Sequence, residues 1–360
     1  MMSEAISSET IKVDMEHSAM NPRDLMTLTL GRFVMPRLVS GLVENAEVYD
    51  VIIGFNGMLF PLFSKLSTYS RRPLLMDYVH GLSTFDRIAT LNEGEVGRQT
   101  FSWHNRLITG PLTRRLPETW ELRGASLADV VIVQNSRDRE FLRRKGIGNI
   151  SQVALPVLPE IAEAAKRTSA RGRDPKKLLW FGSWTDRKGV NYLAEAFTAI
   201  LQEVPDATLT IGGTDRTESQ ILANFPGRAH PSIRVLKRIS VQEQIGEYAS
   251  NAIFLFPSLS EGFGLALLEA MSMGMAPVST LTGFAADHAT PGKDIVAVPM
   301  ANSERLAAAV VELIRDDAKR VEIASTAQKL ASQFTLERYG QSLIRIIEST
   351  ELNRKIHMSA

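Results

Sequence analysis

The segment E-G-F-G-L-A-L-L-E, from Glu261 to Glu269, places two carboxylates at either end of a glycine-rich stretch. It follows the apolar run 252–256, so the pattern predicts a strand, a tight turn and a helix. The turn would present the backbone N–H groups of Gly262, Phe263 and Gly264. Such groups attract phosphate because they lie at the positive end of a helix dipole. The segment therefore indicates a phosphate-binding turn with acidic side chains beside it.

The second carboxylate of this segment, Glu269, lies four residues after Leu265, so the two share one face of the predicted helix. Its sequence neighbours are apolar, and burying a carboxylate alone costs roughly several kcal/mol. We therefore expect Glu269 to bind a ligand, and ribose hydroxyls are suitable donors. The alternative is a partly exposed helix residue that binds nothing.

A second polar loop, W-F-G-S-W-T-D-R-K-G-V, spans residues 180–190 after another predicted strand. The loop contains Gly182, Ser183, Arg187 and Lys188, and the last two are cations. Two cations just before a helix are unfavourable by roughly a few tenths of a kcal/mol unless an anion joins them. A diphosphate would be such an anion, so we expect Lys188 to bind phosphate. The alternative is an ordinary solvated loop lysine.

Composition limits the possible classes of protein. The chain has 360 residues, enough for two domains, and its 41 basic and 40 acidic residues give a net charge of +1. That balance argues against nucleic acid as a main partner. The lack of cysteine excludes disulfides, thiol catalysis and thiolate metal sites, and suits a reducing cytosol. The N-terminus shows no signal peptide, and the apolar runs are shorter than the roughly 20 residues of a membrane span. We expect a soluble or membrane-surface protein.

Short apolar runs alternate with helical patterns along the chain, and this alternation predicts an α/β fold with parallel sheets. Ligands bind such sheets at the carboxyl ends of their strands. The predicted strands are 51–53, 74–76, 130–133, 177–181, 207–211, 233–236, 253–256, 277–279 and 295–298. Helical patterns begin near Val190, Glu218, Val241 and Leu265. Between residues 82 and 123 the pattern does not distinguish a mobile insertion from short helices over a cleft.

The domain boundary is predicted at a charged stretch that is poor in large apolar residues. The prediction is a first domain at 1–159, a linker at 160–176 and a second domain at 177–335. The helical run 336–350 can cross back to cover the first domain. An amphipathic segment at 25–43 is expected to pack in the core rather than to anchor the chain in a membrane.

These motifs resemble those of the retaining glycosyltransferases of family 4, also called glycosyl transferases group 1. The matching motifs are G-x-x-x-x-R-K-G at 182–189, I-G-G at 211–213 and F-P-S-x-x-E-G-F-G-L-x-x-x-E-A-M at 256–271. The segments V-H-G at 79–81 and A-D-V-V-I-V-Q-N-S at 128–136 are similar to strand ends of the family's first domain. The resemblance implies a GT-B fold, in which two Rossmann-like domains face each other across a cleft.

The resemblance also implies roles for individual residues. The donor's diphosphate would lie against Lys188 and the backbone of Gly264 and Leu265, while Glu269 would hold the ribose hydroxyls. Glu261 would contact the transferred sugar, and His80 would approach the reaction centre from the first domain. A structural role for His80 is the alternative. The family normally needs no bound metal, and the nucleotide-diphosphate sugar is a substrate, so no cofactor is expected.

The sequence departs from the family pattern at two places. Ser183 stands where the family usually has an arginine, and Arg187 is a possible replacement. Residues 1–48 contain no paired glycines, whereas the family opens with a strand and a glycine-rich loop. The first domain is therefore expected to be incomplete or differently built.

The favoured function is transfer of a sugar, with retention, from a nucleotide-diphosphate-sugar donor in polysaccharide or glycoconjugate biosynthesis. The acceptor would be a carbohydrate, a lipid-linked sugar or another glycoconjugate. The location would be the cytoplasm, with peripheral contact at the inner membrane surface. A non-catalytic sugar-nucleotide-binding protein or partner subunit is the main alternative. A hydrolase that uses both glutamates is disfavoured, because a turn residue and a helix residue do not flank a glycosidic bond.

Overall fold

The computed structural model describes residues 43, 49–69, 71–91 and 110–359. The amphipathic segment 25–43 lies outside them except for Val43, and so does His104. Two parallel sheets with helices packed on them form two Rossmann-like halves, as the sequence predicted. Within these described ranges, no helix is both long enough and apolar enough to cross a bilayer.

The first sheet has four parallel strands in the order β1-β2-β3-β4. The strands are β1 Val51–Phe55, β2 Leu74–Val79, β3 Val130–Val133 and β4 Ile150–Gln152. The helices of this part are α1 Phe60–Leu66, α2 Ser83–Leu91, α3 Gly110–Leu127, α4 Ser136–Arg144 and α5 Pro159–Ala165. All residues of β2 and β3 are buried, as expected for central strands of a covered parallel sheet. The order of the described strands does not reverse along this sheet. The sheet therefore corresponds to one of the two βαβαβ units that make up a doubly wound sheet.

The second sheet has six parallel strands in the order β10-β9-β8-β5-β6-β7. They are β5 Lys177–Phe181, β6 Thr208–Gly212, β7 Ile233–Val235, β8 Ile253–Phe256, β9 Ala276–Ser279 and β10 Val296–Ala297. The strand order reverses between β5 and β8, which are neighbours. In open α/β sheets, ligands bind at this switch point, outside the carboxyl ends of the strands.

The helices of the second half cover both faces of its sheet. They are α6 Val190–Glu203, α7 Glu218–Leu222, α8 Val241–Ser250, α9 Leu265–Ser272, α10 Phe284–His288, α11 Ser303–Arg315 and α12 Asp317–Ala331. Two clusters of buried apolar side chains lie between sheet and helices. The segment 160–176 contributes to both clusters, because Ile161 of α5 is buried in one and Ala170 in the other.

The last described helix, α13 (Leu336–Ser359), packs on the first sheet. Its residues Tyr339, Leu343, Ile346 and Ile347 lie against the apolar cluster of that sheet. Farther along, Arg354 donates to the carbonyl oxygen of Arg72 at 3.1 Å. The helix therefore links the end of the described chain to its first half.

Candidate active site

Two loops meet at the switch point of the second sheet. The loop after β5 ends in a short 3-10 turn, Asp186–Lys188, and the loop after β8 spans residues 257–264. Gly189 has φ +66°, and a Cβ there would lie 2.0 Å from the carbonyl oxygen of Pro257. The N–H of Leu259 also donates to the carbonyl oxygen of Arg187 at 2.8 Å. Glycine is therefore required at 189, because the two loops are locked backbone to backbone.

The backbone contact between the two loops places Lys188 next to Glu261. The ammonium nitrogen lies 2.6 Å from Oε1 of Glu261, and the two side chains are 12% and 5% exposed. Ser258 donates to the same oxygen at 2.6 Å, and Arg187 lies 3.5 Å from the other oxygen. Burial would raise the pKa of Glu261, but the charges of Lys188 and Arg187 outweigh burial and lower it. Glu261 is therefore an ionised, buried carboxylate between two cations.

Glu269 is buried too, but its partners are neutral. Tyr248 and Gln244, both on α8, donate to Oε2 of Glu269 at 3.0 and 2.9 Å. Burial raises the pKa of Glu269 to about 7, although both hydrogen bonds lower it. These two bonds are the only ones that described residues make to this carboxylate, so Oε1 accepts none of them. Protein groups thus hold one oxygen and leave the other available to a ligand.

The turn between the two glutamates carries free backbone donors. Gly264, with φ +101°, is the N-cap of α9, and Phe263 beneath it is buried. Among the described residues, no acceptor takes a hydrogen bond from the N–H of Gly264 or Leu265. The ring of Phe256 lies next to Gly264, and the Lys188 ammonium lies 5.5 Å from the centre of that ring. The Lys188 ammonium and the turn that carries the N–H donors therefore both lie beside the ring of Phe256.

The first domain contacts the same turn through His80. A Cβ on Gly262 would lie 1.7 Å from the carbonyl oxygen of His80 and 3.1 Å from Cα of Gly81. Asn56 holds this strand end, since its side chain accepts from the N–H of His80 at 2.9 Å and donates to the carbonyl oxygen of Gly81 at 2.8 Å. The side chain of His80 is exposed, and its ring stacks on Phe55 at 5.3 Å. His80 therefore lies where the two domains meet.

Further hydrogen bonds cross the cleft beside this contact. Asn135 donates to the carbonyl oxygen of Gly262 at 2.6 Å, and Arg137 donates to that of Glu261 at 3.2 Å. On the other side, the carboxylate of Asp287 accepts from the N–H of Ser136 and from the side chain of Gln152, each at 2.7 Å. Asp287 is therefore an anion at the N-terminus of α4, contributed by the opposite domain.

The remaining predicted residues lie on the loop after β5. The N–H of Gly182 donates to the carbonyl oxygen of Gly212 at 3.0 Å, and Ser183 is exposed. The guanidinium of Arg187 lies 3.7 Å from the carboxylate of Asp86 in the first domain, and it also contacts the carboxylate of Glu261. Within the described ranges, no group of three or more acidic or histidine side chains is arranged to hold a metal ion.

The residues that join the domains were not predicted from the sequence. Asn135 had a local signal, because an asparagine after an apolar strand is a common helix N-cap, and it does accept from the N–H of Asp138. Arg137 and Asp287 had no local signal, since their partners are more than a hundred residues away in the sequence. Tyr248 and Gln244 lie one helical turn apart. In the sequence, this spacing predicted only that the two side chains share one face of a helix.

Comparisons with known proteins agree with this geometry. Residues 175–316 match the model of the family "Glycosyl transferases group 1". A relative from Corynebacterium glutamicum, a GDP-mannose-dependent monoacylated alpha-(1-6)-phosphatidylinositol monomannoside mannosyltransferase, is 27% identical over 171 residues. That alignment covers 45% of this chain and 44% of the relative. The chain spans about half the length of the first curated relatives it matches.

Solved structures share the fold. TarM of S. aureus, in complex with UDP, matches with a TM-score of 0.66 and 15% identity over 86% of this chain and 58% of its own. Sucrose-phosphate synthase from Thermosynechococcus elongatus matches with a TM-score of 0.65 and 18% identity over 90% of this chain and 78% of its own. The architecture is thus that of GT-B glycosyltransferases. The predicted resemblance to group 1 glycosyltransferases is confirmed, and its matched region contains Lys188, Glu261 and Glu269.

Proposed function

We propose that this chain binds a nucleotide-diphosphate sugar at the cleft between its two sheets and transfers the sugar, with retention, to a carbohydrate or glycoconjugate acceptor. One arrangement carries the proposal. Lys188, Glu261 and Glu269 surround a glycine turn at the switch point, and the N–H groups of Gly264 and Leu265 there have no acceptor among the described residues.

The diphosphate would lie against Lys188 and the two free N–H groups. An ammonium group has three donors, so its bond to Glu261 leaves donors for phosphate oxygens. Negative charge grows on the departing diphosphate, and fixed donors that stabilise it are worth roughly several kcal/mol of barrier. Because Lys188 and Arg187 supply positive charge, we propose that no bound metal ion and no cofactor are needed.

The two carboxylates would bind opposite ends of the donor. Glu269 would accept ribose hydroxyls on Oε1, since Tyr248 and Gln244 hold its other oxygen. Glu261 would contact the transferred sugar, with its position fixed by Lys188 and Ser258. Of the loop after β5, Gly182 and Ser183 would line the donor pocket.

His80 would approach the transferred sugar and the acceptor from the first domain. In the reaction, the bond from the anomeric carbon to the phosphate oxygen breaks and a bond to the acceptor oxygen forms. The acceptor proton leaves with the diphosphate. The first domain also exposes apolar side chains, since Ile53, Phe55 and Met58 are 42%, 40% and 59% exposed. These apolar groups support an acceptor with a lipid part and work at the cytoplasmic face of the inner membrane, and the C. glutamicum relative is named for a lipid acceptor.

A thermal-shift panel of uridine, guanosine and adenosine diphosphate sugars tests donor binding. A ligand at a hundred times its Kd stabilises the fold by about 2.7 kcal/mol, so one nucleotide should raise the unfolding temperature. Stabilisation should be lost in Glu269→Ala. Release of nucleoside diphosphate from the preferred donor then separates an enzyme from a non-catalytic partner subunit, which would bind without turnover. If no sugar nucleotide stabilises the chain, the proposed function is wrong.

A further inference from the structure

The ring of His80 is held by a buried glutamine from the neighbouring strand. Gln134 directly follows β3, is only 2% exposed, and places its side-chain nitrogen 2.9 Å from Nδ1 of His80. An amide nitrogen can only donate a hydrogen bond, whereas a neutral imidazole has one donor and one acceptor nitrogen. If the amide nitrogen faces Nδ1, then Nδ1 is the acceptor and the ring proton is on Nε2.

We propose that Gln134 is a positioning residue that holds His80 as the neutral tautomer with its proton on Nε2. The exposed edge of the ring then presents an N–H donor on the residue whose backbone contacts Gly262 across the cleft. The proposal adds a residue to the proposed function and rests on it for the use of that donor. The tautomer itself can be measured without any substrate.

A second hydrogen bond holds the Gln134 side chain. Its side chain also hydrogen-bonds the hydroxyl of Tyr78, which is 4% exposed. Tyr339 of α13 in turn donates to the Tyr78 hydroxyl at 3.1 Å. A row of hydrogen bonds therefore runs from α13 to His80 through Tyr78 and Gln134.

Two neighbouring aromatic rings pack against the His80 ring. The His80 ring is stacked on Phe55, with an angle of 11° between the planes, and it lies 5.0 Å from the ring of Tyr78. Partial burial by these rings lowers the pKa of His80, so the neutral form dominates near pH 7. Among the described residues, no hydrogen bond is made to Nε2. The N–H at this nitrogen is therefore free to bind an oxygen of a sugar or an acceptor.

The test is ¹⁵N NMR of the full chain labelled at its histidine rings, at a pH above the His80 titration. The His80 signals, assigned by their loss in His80→Gln, should show a proton on Nε2 and a bare Nδ1. Gln134→Glu should move the proton to Nδ1, because a carboxylate only accepts, and should raise the pKa of His80 by about one unit or more. Gln134→Met, which keeps the size but cannot donate, should give a mixture of tautomers. The control is Gln202→Glu at an exposed position, which should leave His80 unchanged.

A wild-type ring with its proton on Nδ1 would overturn the proposal, and this result needs no variant to fold. An unchanged tautomer in both Gln134 variants would overturn it as well. The outcome is separate from that of the donor panel. Sugar nucleotides binding with the wrong tautomer would refute only the role of Gln134, and the expected tautomer without any donor binding would refute only the proposed function.

Discussion

The ammonium nitrogen of Lys188 lies 2.6 Å from a carboxylate oxygen of Glu261, and both side chains are largely shielded from solvent. The site is therefore charged and ordered before a donor arrives. A diphosphate would share the cation with Glu261 instead of ordering a free lysine. Such preorganisation lowers the cost of stabilising charge during the reaction.

Lys188→Ala should lower both stability and turnover. Removing one partner of a buried ion pair costs about 3 kcal/mol or more, although Arg187 at 3.5 Å offsets part of this for Glu261. Urea denaturation measures that loss, and kcat should fall more than KM rises. The control is Lys166→Ala, whose solvent-exposed pair with Glu163 should contribute little to stability. An unchanged kcat would transfer the catalytic role to Arg187.

Binding of the donor should depend on the ionisation of Glu269. Its pKa is about 7 in the structure, and ribose hydroxyls bind best to the ionised form. Affinity for a nucleotide sugar should therefore rise between pH 6 and 8, measured by calorimetry. A nucleotide sugar suits this test because its diphosphate is esterified at both ends, so the phosphate groups themselves do not titrate between pH 6 and 8. Glu269→Gln should bind more weakly and without this pH dependence; the same slope in the variant would refute the role.

Gly262→Ala should separate the two domains at the cleft. The new Cβ would lie 1.7 Å from the carbonyl oxygen of His80, so one backbone must move. We expect turnover to be lost and hydrogen exchange to increase at residues 80–81 and 261–264. The matched control is Gly246→Ala on α8, where a Cβ meets nothing within 4 Å. That variant should gain about 0.5–1 kcal/mol from helix propensity. Normal turnover in Gly262→Ala would show that the contact is not needed.

Asp77 should make the chain less stable as the pH rises. Its side chain is fully buried with Oδ2 unpaired, and burial raises its pKa from 3.8 to about 7. The neutral form is favoured in the folded state, so stability is complete below pH 3.8 and is lost as the pH rises to about 7. At 1.36 kcal/mol per pKa unit, the loss is about 4 kcal/mol.

Asp77→Asn should remove this loss, so its advantage in unfolding free energy over the wild type should grow from pH 4 to pH 8. Denaturation at both pH values measures the difference. Asp50→Asn, at an exposed position of the same domain, serves as the control and should show little change. A constant difference between Asp77→Asn and the wild type would show that Asp77 is ionised throughout.

Asp287→Ala should loosen the docking of the domains. It removes the acceptor of the Ser136 N–H and of the Gln152 side chain, both at 2.7 Å. We expect faster hydrogen exchange at the first turn of α4, with the second sheet unaffected. Asp287→Asn, which keeps one acceptor oxygen, should have a smaller effect. Equal exchange in wild type and Asp287→Ala would mean that the other contacts suffice.

Local sequence patterns predicted most strands and the main parts of the site. The predicted runs 130–133, 177–181 and 253–256 match β3, β5 and β8 residue for residue. The strand β4 was missed, because I-S-Q has a single apolar residue and no residue of it is fully buried. Apolar runs and glycine turns report how a short segment is buried, which is why these features could be recognised.

The partners of the site residues could not be predicted in the same way. Lys188 is the ion partner of Glu261 although it lies 73 residues away in the sequence. This pairing depends on the backbone contact between Gly189 and Pro257. The bond from Asn135 to Gly262 spans 127 residues and depends on how the domains dock. Neither arrangement leaves a periodic trace in the sequence, because it is fixed by tertiary packing.

The position of α13 affects the order in which the chain can fold during synthesis. The strands of the second sheet are complete once residue 297 has left the ribosome. The first sheet is made earlier, but residues 339–347, which pack on one of its apolar clusters, emerge later. Packing of that cluster is therefore completed by α13, which is synthesised after the strands of the second sheet.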